Sequence, residues 1–292
     1  MSFLYIILLG LIQGVTEFIP VSSSGHLAVL ENLLGISDYT GIPFAAFVHM
    51  GSLAAICWCM KKDLKRILLE TCRILYDLFQ NLQIYLDNKK TGRDNAYVTI
   101  IHNNYRKLVV LLFVTSIPTM ILGFLSRNLA AAWSEDLLLP AIGFLVSGIV
   151  LLVVDFIKKG RKIPKDVGFD CAMWVGICQG LSVFPGISRF GMTLSAGLLN
   201  GLGMSFAIRY SILASVPAII GAFFAEIGHL GLGQLTVAMF FTFLAGAIVA
   251  ALVGMLVIRW LLKLVARMKC RTFAYYSFVL GIVVLAIHFM RP

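Results

Sequence analysis

An apolar stretch broken at matching places occurs twice in this chain, 166 positions apart, and this duplication limits the possible folds more than any other feature. Gly10, Gln13, Gly14, Phe18, Ser22 and Gly25 recur as Gly176, Gln179, Gly180, Phe184, Ser188 and Gly191, and Thr16 has Ser182 as its counterpart. The gapless match continues to Leu33/Leu199 and Gly35/Gly201. In the first copy Pro20 and Gly25 interrupt the apolar run. Proline removes a backbone donor, and glycine admits backbone angles that other residues avoid. Each copy therefore reads as helix, polar turn, helix. At membrane depth such a turn survives only if it is buried in protein or lines a cavity. Two re-entrant hairpins are expected, over residues 3–35 and 170–203, each with a polar tip.

The rest of the chain fits a membrane setting. Of its 292 residues 60% are hydrophobic and 13% charged, with a mean hydropathy of +0.93. Six further segments approach the ~20 apolar residues that a bilayer crossing needs. They are residues 41–60, 108–125, 138–157, 208–228, 235–258 and 273–290. A net charge of +10 in a soluble protein would suggest a nucleic-acid partner. Here the basic residues gather between spans: Lys61, Lys62, Lys65 and Arg66; Lys158, Lys159, Arg161, Lys162 and Lys165; Arg259, Lys263, Arg267, Lys269 and Arg271. They follow the bias of cytoplasmic loops, so no nucleic acid is expected. Loops 126–137 and 229–234, with Arg127 alone, are expected outside. Nothing in the sequence sets an oligomeric state.

The expected fold is an all-α integral membrane domain of six transmembrane helices and two re-entrant hairpins, with repeat one at 1–160 and repeat two at 161–292. Each repeat contains one hairpin and three spans. An odd number of crossings inverts the second repeat, so the hairpin tips should meet near the midplane. Residues 61–107 are a cytoplasmic insertion, whose Ile67, Leu68, Ile74, Leu75, Leu78, Phe79 and Leu82 suggest an interfacial amphipathic helix. Gly10/Gly14 and Gly176/Gly180 have the spacing of close helix packing. Pro43, Pro118, Pro140 and Pro217 should kink or start membrane helices. No signal peptide is expected, and the six cysteines are read as reduced thiols.

The repeats differ where chemistry would lie. Glu17 corresponds to Val183, Ser23 to Arg189 and His26 to Met192. One copy offers a carboxylate and an imidazole, the other a guanidinium, as expected of one site assembled from two halves. Arg189 can fork around phosphate oxygens. Ser22, Ser23 and Ser24 begin a helix, where free N–H groups favour an anion, Ser188 and Thr193 add hydroxyls in the second tip, and Gln13 is placed with them among the phosphate-binding residues. Glu17 suits a metal ion or a proton. His26 lies within one helical turn of Ser23, so the two can act as base and nucleophile. Alternatively, His26 or Glu17 activates water.

The run Gln13-Gly14-Val15-Thr16-Glu17-Phe18-Ile19-Pro20-Val21-Ser22-Ser23-Ser24-Gly25-His26 closely resembles the first signature of the undecaprenyl-diphosphate phosphatases of the bacitracin-resistance type. Pro185-Gly186-Ile187-Ser188-Arg189-Phe190-Gly191-Met192-Thr193 resembles their second. The resemblance covers nearly the whole chain, including Val48-His49-Met50-Gly51-Ser52 and Ser215-Val216-Pro217-Ala218. Gln13 stands where many members have glutamate, and Phe190 where serine is common. The resemblance implies a bacterial inner-membrane hydrolase that cleaves undecaprenyl diphosphate to undecaprenyl phosphate and inorganic phosphate. Such an enzyme recycles the lipid carrier for cell-wall polymers and confers bacitracin resistance. It also implies Mg2+ dependence, with Glu17 as the metal ligand, and a site open to the outer side.

Two other readings compete. Ser23-Ser24-Gly25-His26 has a likeness to the middle motif of acid-phosphatase-like lipid phosphatases, but positions 194 and 195, where their last motif needs a histidine, are Leu and Ser. A polyprenyl-phosphate transporter or flippase would share the inverted-repeat architecture.

Overall fold

The computed structural model describes residues 3–134, 136–157, 160–227, 236–264 and 268–290, with side chains described except at 37–42, 127, 128, 130–134, 226 and 227. The expected loop 229–234 and the basic residues Lys158, Lys159 and Arg267 lie outside the described residues. Eleven α-helices and one short 3-10 turn are described: α1 (Phe3–Thr16), α2 (Ser23–Leu34), α3 (Ser37–Cys59), α4 (Lys61–Thr91), α5 (Asn104–Ser134), α6 (Leu138–Asp155), α7 (Phe169–Leu181), α8 (Arg189–Leu199), α9 (Met204–Ile227), α10 (Val237–Leu264) and α11 (Cys270–Met290). Five of them, α5, α6, α9, α10 and α11, are long and apolar enough to cross a membrane, and α3 taken with α4 makes a sixth candidate. The protein is a multi-pass membrane protein.

The expected spans correspond to α3, α5, α6, α9, α10 and α11. One boundary needs correction. Residues 126–137 were expected as a loop, but α5 continues to Ser134 before α6 starts at Leu138. An apolar tail (Leu129, Ala130, Ala131, Ala132, Trp133) lets the helix run past its hydrophobic window. Pro43, Pro118 and Pro217 lie inside α3, α5 and α9, and Pro140 is in the first turn of α6.

The duplicated stretch forms two helix pairs. α1 and α2 pack on each other across residues 17–22, and α7 and α8 do so across 182–188. Each pair then packs on the other half of the chain. α1 lies along α10, while α7 lies along α5; α3 packs on both α10 and α9, α5 on α9, and α6 on α11. Exchanging α1–α2, α3, α5 and α6 with α7–α8, α9, α10 and α11 maps this set of contacts onto itself.

The paired glycines allow two of these contacts, α1 on α10 and α7 on α5, to be close. A side chain at Gly14 would put Cβ 2.7 Å from the Ala250 carbonyl oxygen, and one at Gly10 would collide with the Gly246 carbonyl oxygen. In the other half a side chain at Gly180 would put Cβ 2.6 Å from Leu122, and one at Gly176 would collide with the Thr115 carbonyl oxygen and the Pro118 ring. Small residues thus bring helix backbones together where no hydrophobic force between apolar helices would do so.

Between these layers lies one large core, in which Phe18, Ile56, Leu111, Leu151, Leu194, Ile208 and Tyr210 are almost wholly buried. A smaller cluster of Val29, Leu137, Ala141, Phe144 and Val284 sits beneath α2, α6 and α11 and backs the first tip.

Candidate active site at the two helix breaks

α1 ends at Thr16, whose hydroxyl bonds back to the Ile12 carbonyl, and the chain then turns through Pro20. Helix resumes at Ser23 behind Ser22, whose Oγ caps α2 by accepting from the Gly25 amide at 3.3 Å. Ser22 has φ of 66°, the one positive value at a non-glycine position among the described residues. Backbone strain of this kind costs about 1–3 kcal/mol and is found where surrounding structure imposes it, often at functional sites. The second tip is built alike. Gly186, at φ 86°, is pressed against the Pro140 carbonyl, and Ser188 caps α8 by accepting from the Gly191 amide at 3.0 Å. Ser147 of α6 steadies this turn, donating to the Gly186 carbonyl and accepting from the Ser188 amide, each at 2.9 Å.

The two tips touch. A side chain at Gly25 would place Cβ 2.7 Å from both Gly186 Cα and the Phe144 ring. The Glu17 carboxylate, its side chain only 4% exposed, then meets the guanidinium of Arg189 at 3.5 Å. The expected meeting of a carboxylate from one repeat with an arginine from the other is therefore found. Arg189 uses one nitrogen for this pair, and that nitrogen makes no hydrogen bond. Its side chain is 23% exposed.

Around Glu17 the contacts are specific. Ser23 Oγ donates to Glu17 Oε2 at 2.5 Å, and Gln13 Nε2 donates to the same oxygen at 3.1 Å while reaching Ser52 Oγ at 3.4 Å. Gln13 is fully buried, and its Oε1 has no hydrogen-bond partner. Gln13, expected on the phosphate, instead holds the carboxylate from behind.

The expected Ser23–His26 pair does not form. His26 Nδ1 lies 2.6 Å from the Ser22 carbonyl oxygen, which can only accept, so this nitrogen carries the proton. Nε2 of the neutral ring is then an acceptor, and the Tyr276 hydroxyl donates to it at 2.8 Å. The Tyr276 ring runs parallel to the imidazole at 5.8 Å between centroids, and Phe144 meets it edge-on at 5.2 Å. One helical turn puts Ser23 and His26 close in sequence, but the hydroxyl is taken by the carboxylate and the ring by α11.

Two further expectations change. Ser188, 2% exposed, and Thr193, 1% exposed, do not present hydroxyls to the opening. Ser188 caps its helix, and Thr193 Oγ1 donates back to the Arg189 and Phe190 carbonyls at 3.0 and 3.2 Å. Short hydroxyl side chains at a helix cap or one turn inside it find these backbone partners easily. Ser22 and Ser24 stay beside the site, their hydroxyls 3.4 Å apart. Tyr276 and Ser147 carry no functional signal in the sequence, and Ser52 enters it only as the end of the run Val48–Ser52; packing brings each to the tips.

With that geometry in view, kinship is informative. A family described as "Bacitracin resistance protein BacA" matches residues 6–283. The chain is 34% identical to the undecaprenyl-diphosphatase of Alkaliphilus metalliredigens, across 96% of each chain. It is 35% identical to that of Methanosphaera stadtmanae and 36% to that of Desulforapulum autotrophicum, across 95% of each chain in both cases. Both tips fall inside the matched residues, and the chain belongs to the bacitracin resistance protein BacA family.

Proposed function

We infer that this protein is an undecaprenyl-diphosphatase, hydrolysing undecaprenyl diphosphate to undecaprenyl phosphate and inorganic phosphate. The observation that carries the reading is the meeting of Glu17, which also holds Ser23, with Arg189, across two chain breaks that both lie within the family match over residues 6–283. Its role is to return the lipid carrier to cell-wall synthesis, which gives resistance to bacitracin. The membrane is the cell membrane, and the site opens to the outer side. The two halves, 1–160 and 161–292, form one domain as an inverted repeat with 61–107 inserted, and α1–α2 and α7–α8 re-enter the bilayer. The self-mapping contacts of the helices support this arrangement.

Arg189 holds the terminal phosphate through charge-assisted bonds, leaving Glu17 as it does so. Ser22 and Ser24 add hydroxyl donors. In the favoured route Ser23 Oγ passes its proton to Glu17 Oε2 and attacks the terminal phosphorus. An Oγ–P bond forms, the bond from phosphorus to the bridging oxygen breaks, and undecaprenyl phosphate departs. Glu17 gives that proton to the departing undecaprenyl phosphate. The freed carboxylate, or His26 Nε2, then takes a proton from water, whose oxygen bonds to phosphorus as the Oγ–P bond breaks. The proton returns to Ser23 Oγ and inorganic phosphate leaves. In the other route Glu17 takes the proton of a water that attacks directly. In both, positioning and electrostatics carry the phosphoryl transfer.

The donor set suits a hydrated Mg2+, which needs few protein oxygens. Glu17 and the unpartnered buried Gln13 Oε1 would hold it, although the described residues include no cluster of three His, Cys, Asp or Glu. Such an ion would neutralise charge on the phosphate oxygens.

Phosphate release from undecaprenyl diphosphate by the purified protein in detergent tests the reading. No second compartment exists there, so steady release is expected of a hydrolase and none of a flippase. Loss of release on chelation, restored by Mg2+, is expected if the ion belongs to the site.

A further inference from the structure

α4 carries a row of large apolar side chains that no other described part of the protein covers. Leu68, Leu75, Phe79 and Leu82 are 66, 60, 58 and 53% exposed, and Leu86 follows one turn later. Steps of three, four and seven residues place them on one face of the helix. The row begins at Leu64, which packs against the main transmembrane core. The uncovered face is therefore a continuation of the face that enters the membrane bundle.

The direction of α4 follows from its junction. α3 passes into α4 through Met60 alone, and the two axes differ by 89°. If α3 crosses the bilayer, α4 runs along its surface. The polar flank of α4 is already occupied. Buried Glu70 and Asp77 both pair with Arg106 at the start of α5. Asn81 exchanges two hydrogen bonds with the backbone of Val98, at 2.9 and 2.7 Å, and Asn88 does the same with Asn95, at 3.0 and 2.9 Å. The segment after α4 thus closes over its polar side. Leu69, Tyr76, Leu78 and Tyr85 are exposed beside the row, while Cys72, Arg73, Gln83 and Asp87 are exposed off it.

Charge identifies the occupant. Lys61, Lys62, Lys65 and Arg66 are exposed at one end of the row, against Asp63, and Lys89, Lys90 and Arg93 at the other, against Asp87 and Asp94. Both ends are basic in excess. A second copy of α4, in either direction, would set basic ends against basic ends. Anionic headgroups around an acyl interior complement both features.

We propose that α4 is an in-plane membrane anchor, with Leu68, Leu75, Phe79, Leu82 and Leu86 among the acyl chains and its basic ends at anionic headgroups. This does not depend on the phosphatase reading. The test uses the full-length protein with its native cysteines replaced by alanine, in nanodiscs of phosphatidylcholine and phosphatidylglycerol. Single fluorescent labels go at Leu75→Cys and Phe79→Cys on the row and at Gln80→Cys and Asp87→Cys off it. Row labels should be quenched several-fold more by acyl-chain nitroxides than by aqueous iodide, and the off-row labels the reverse. Any variant that is not monodisperse is replaced by Leu82→Cys or Leu86→Cys. Equal iodide access on both sides of the helix would overturn the proposal, as would efficient short-range crosslinking of row cysteines between two copies in one disc.

Discussion

Ser23 Oγ donates to Glu17 Oε2 at 2.5 Å, across the break between α1 and α2, while His26 one turn further on bonds to the Ser22 carbonyl and to Tyr276. The carboxylate is thus the group placed to take the serine proton, while both imidazole nitrogens are bonded elsewhere.

Loss of Ser23 should therefore cost far more than one hydrogen bond, which is worth about 1 kcal/mol or roughly fivefold in rate. Ser23→Ala and Glu17→Gln should each lower turnover by on the order of 100-fold or more, in the range of a lost general base. Rapid-quench trapping of phosphoserine in the wild type supports serine attack. A Ser23→Ala protein that keeps a large share of its rate, with no phosphoenzyme in the wild type, assigns the attack to water.

Tyr276 holds His26 Nε2 and should act as a positioning residue. Tyr276→Phe should lower kcat about three- to tenfold, a loss of about 1 kcal/mol in orientation, with KM and thermal stability little changed. On a His26→Ala background the same change should add nothing. An additive loss in the double variant would show that Tyr276 acts independently of the histidine.

Arg189 forms a 3.5 Å ion pair with Glu17 and is the cation given to the site by the second repeat. Lysine keeps the charge but loses the planar fork. Arg189→Lys should fold and lose most of its activity, mainly through KM for the diphosphate. Near-normal kinetics would make the arginine a structural partner only.

Gly25 separates the tips by a backbone's width. Gly25→Ala would force Cβ within 2.7 Å of Gly186 Cα, in a contact between two backbones that cannot easily part. We expect destabilisation of about 1–3 kcal/mol and a larger loss of activity, since both half-sites move. Thermal unfolding in detergent and phosphate release measure the two effects separately.

Far from the site, Glu70 fastens α4 to α5. Burial alone would raise its carboxyl pKa, but hydrogen bonds from Arg106 and Arg73, with their charges, hold it below the ordinary value. A lowered pKa stabilises the folded state in full above the unfolded value, about 4.3, and that stabilisation is lost as pH falls through the lower folded value. Amide-exchange protection of α4 should thus be constant from pH 8 to 5 and fall only below about pH 4. Loss of protection between pH 8 and 6 would show that another group controls this contact.

The sequence by itself determined the inventory of elements. Runs of apolar residues near bilayer length set α3, α5, α6, α9, α10 and α11, because a membrane leaves the backbone few ways to satisfy its hydrogen bonds. Pro20 and Gly25 placed the first helix break, and the repeat of Gly10 and Gly14 as Gly176 and Gly180 marked the close-packed faces. Divergence between the copies singled out Glu17, Ser23, His26 and Arg189, since a carboxylate or guanidinium inside an apolar segment is costly without a purpose. The tertiary structure decided which of these meet. Ser23 lies one turn from His26 and six residues from Glu17 across the helix break, and the sequence alone does not choose between them; the strained backbone at Ser22 and the packing of α11 go with the carboxylate. It also decided that Ser188 and Thr193 turn to their own backbone, and that Tyr276, Ser52 and Ser147, unremarkable in their own helices, reach the tips. Helix periodicity fixes the face on which a side chain stands; only the docking of one helix on another fixes what lies opposite.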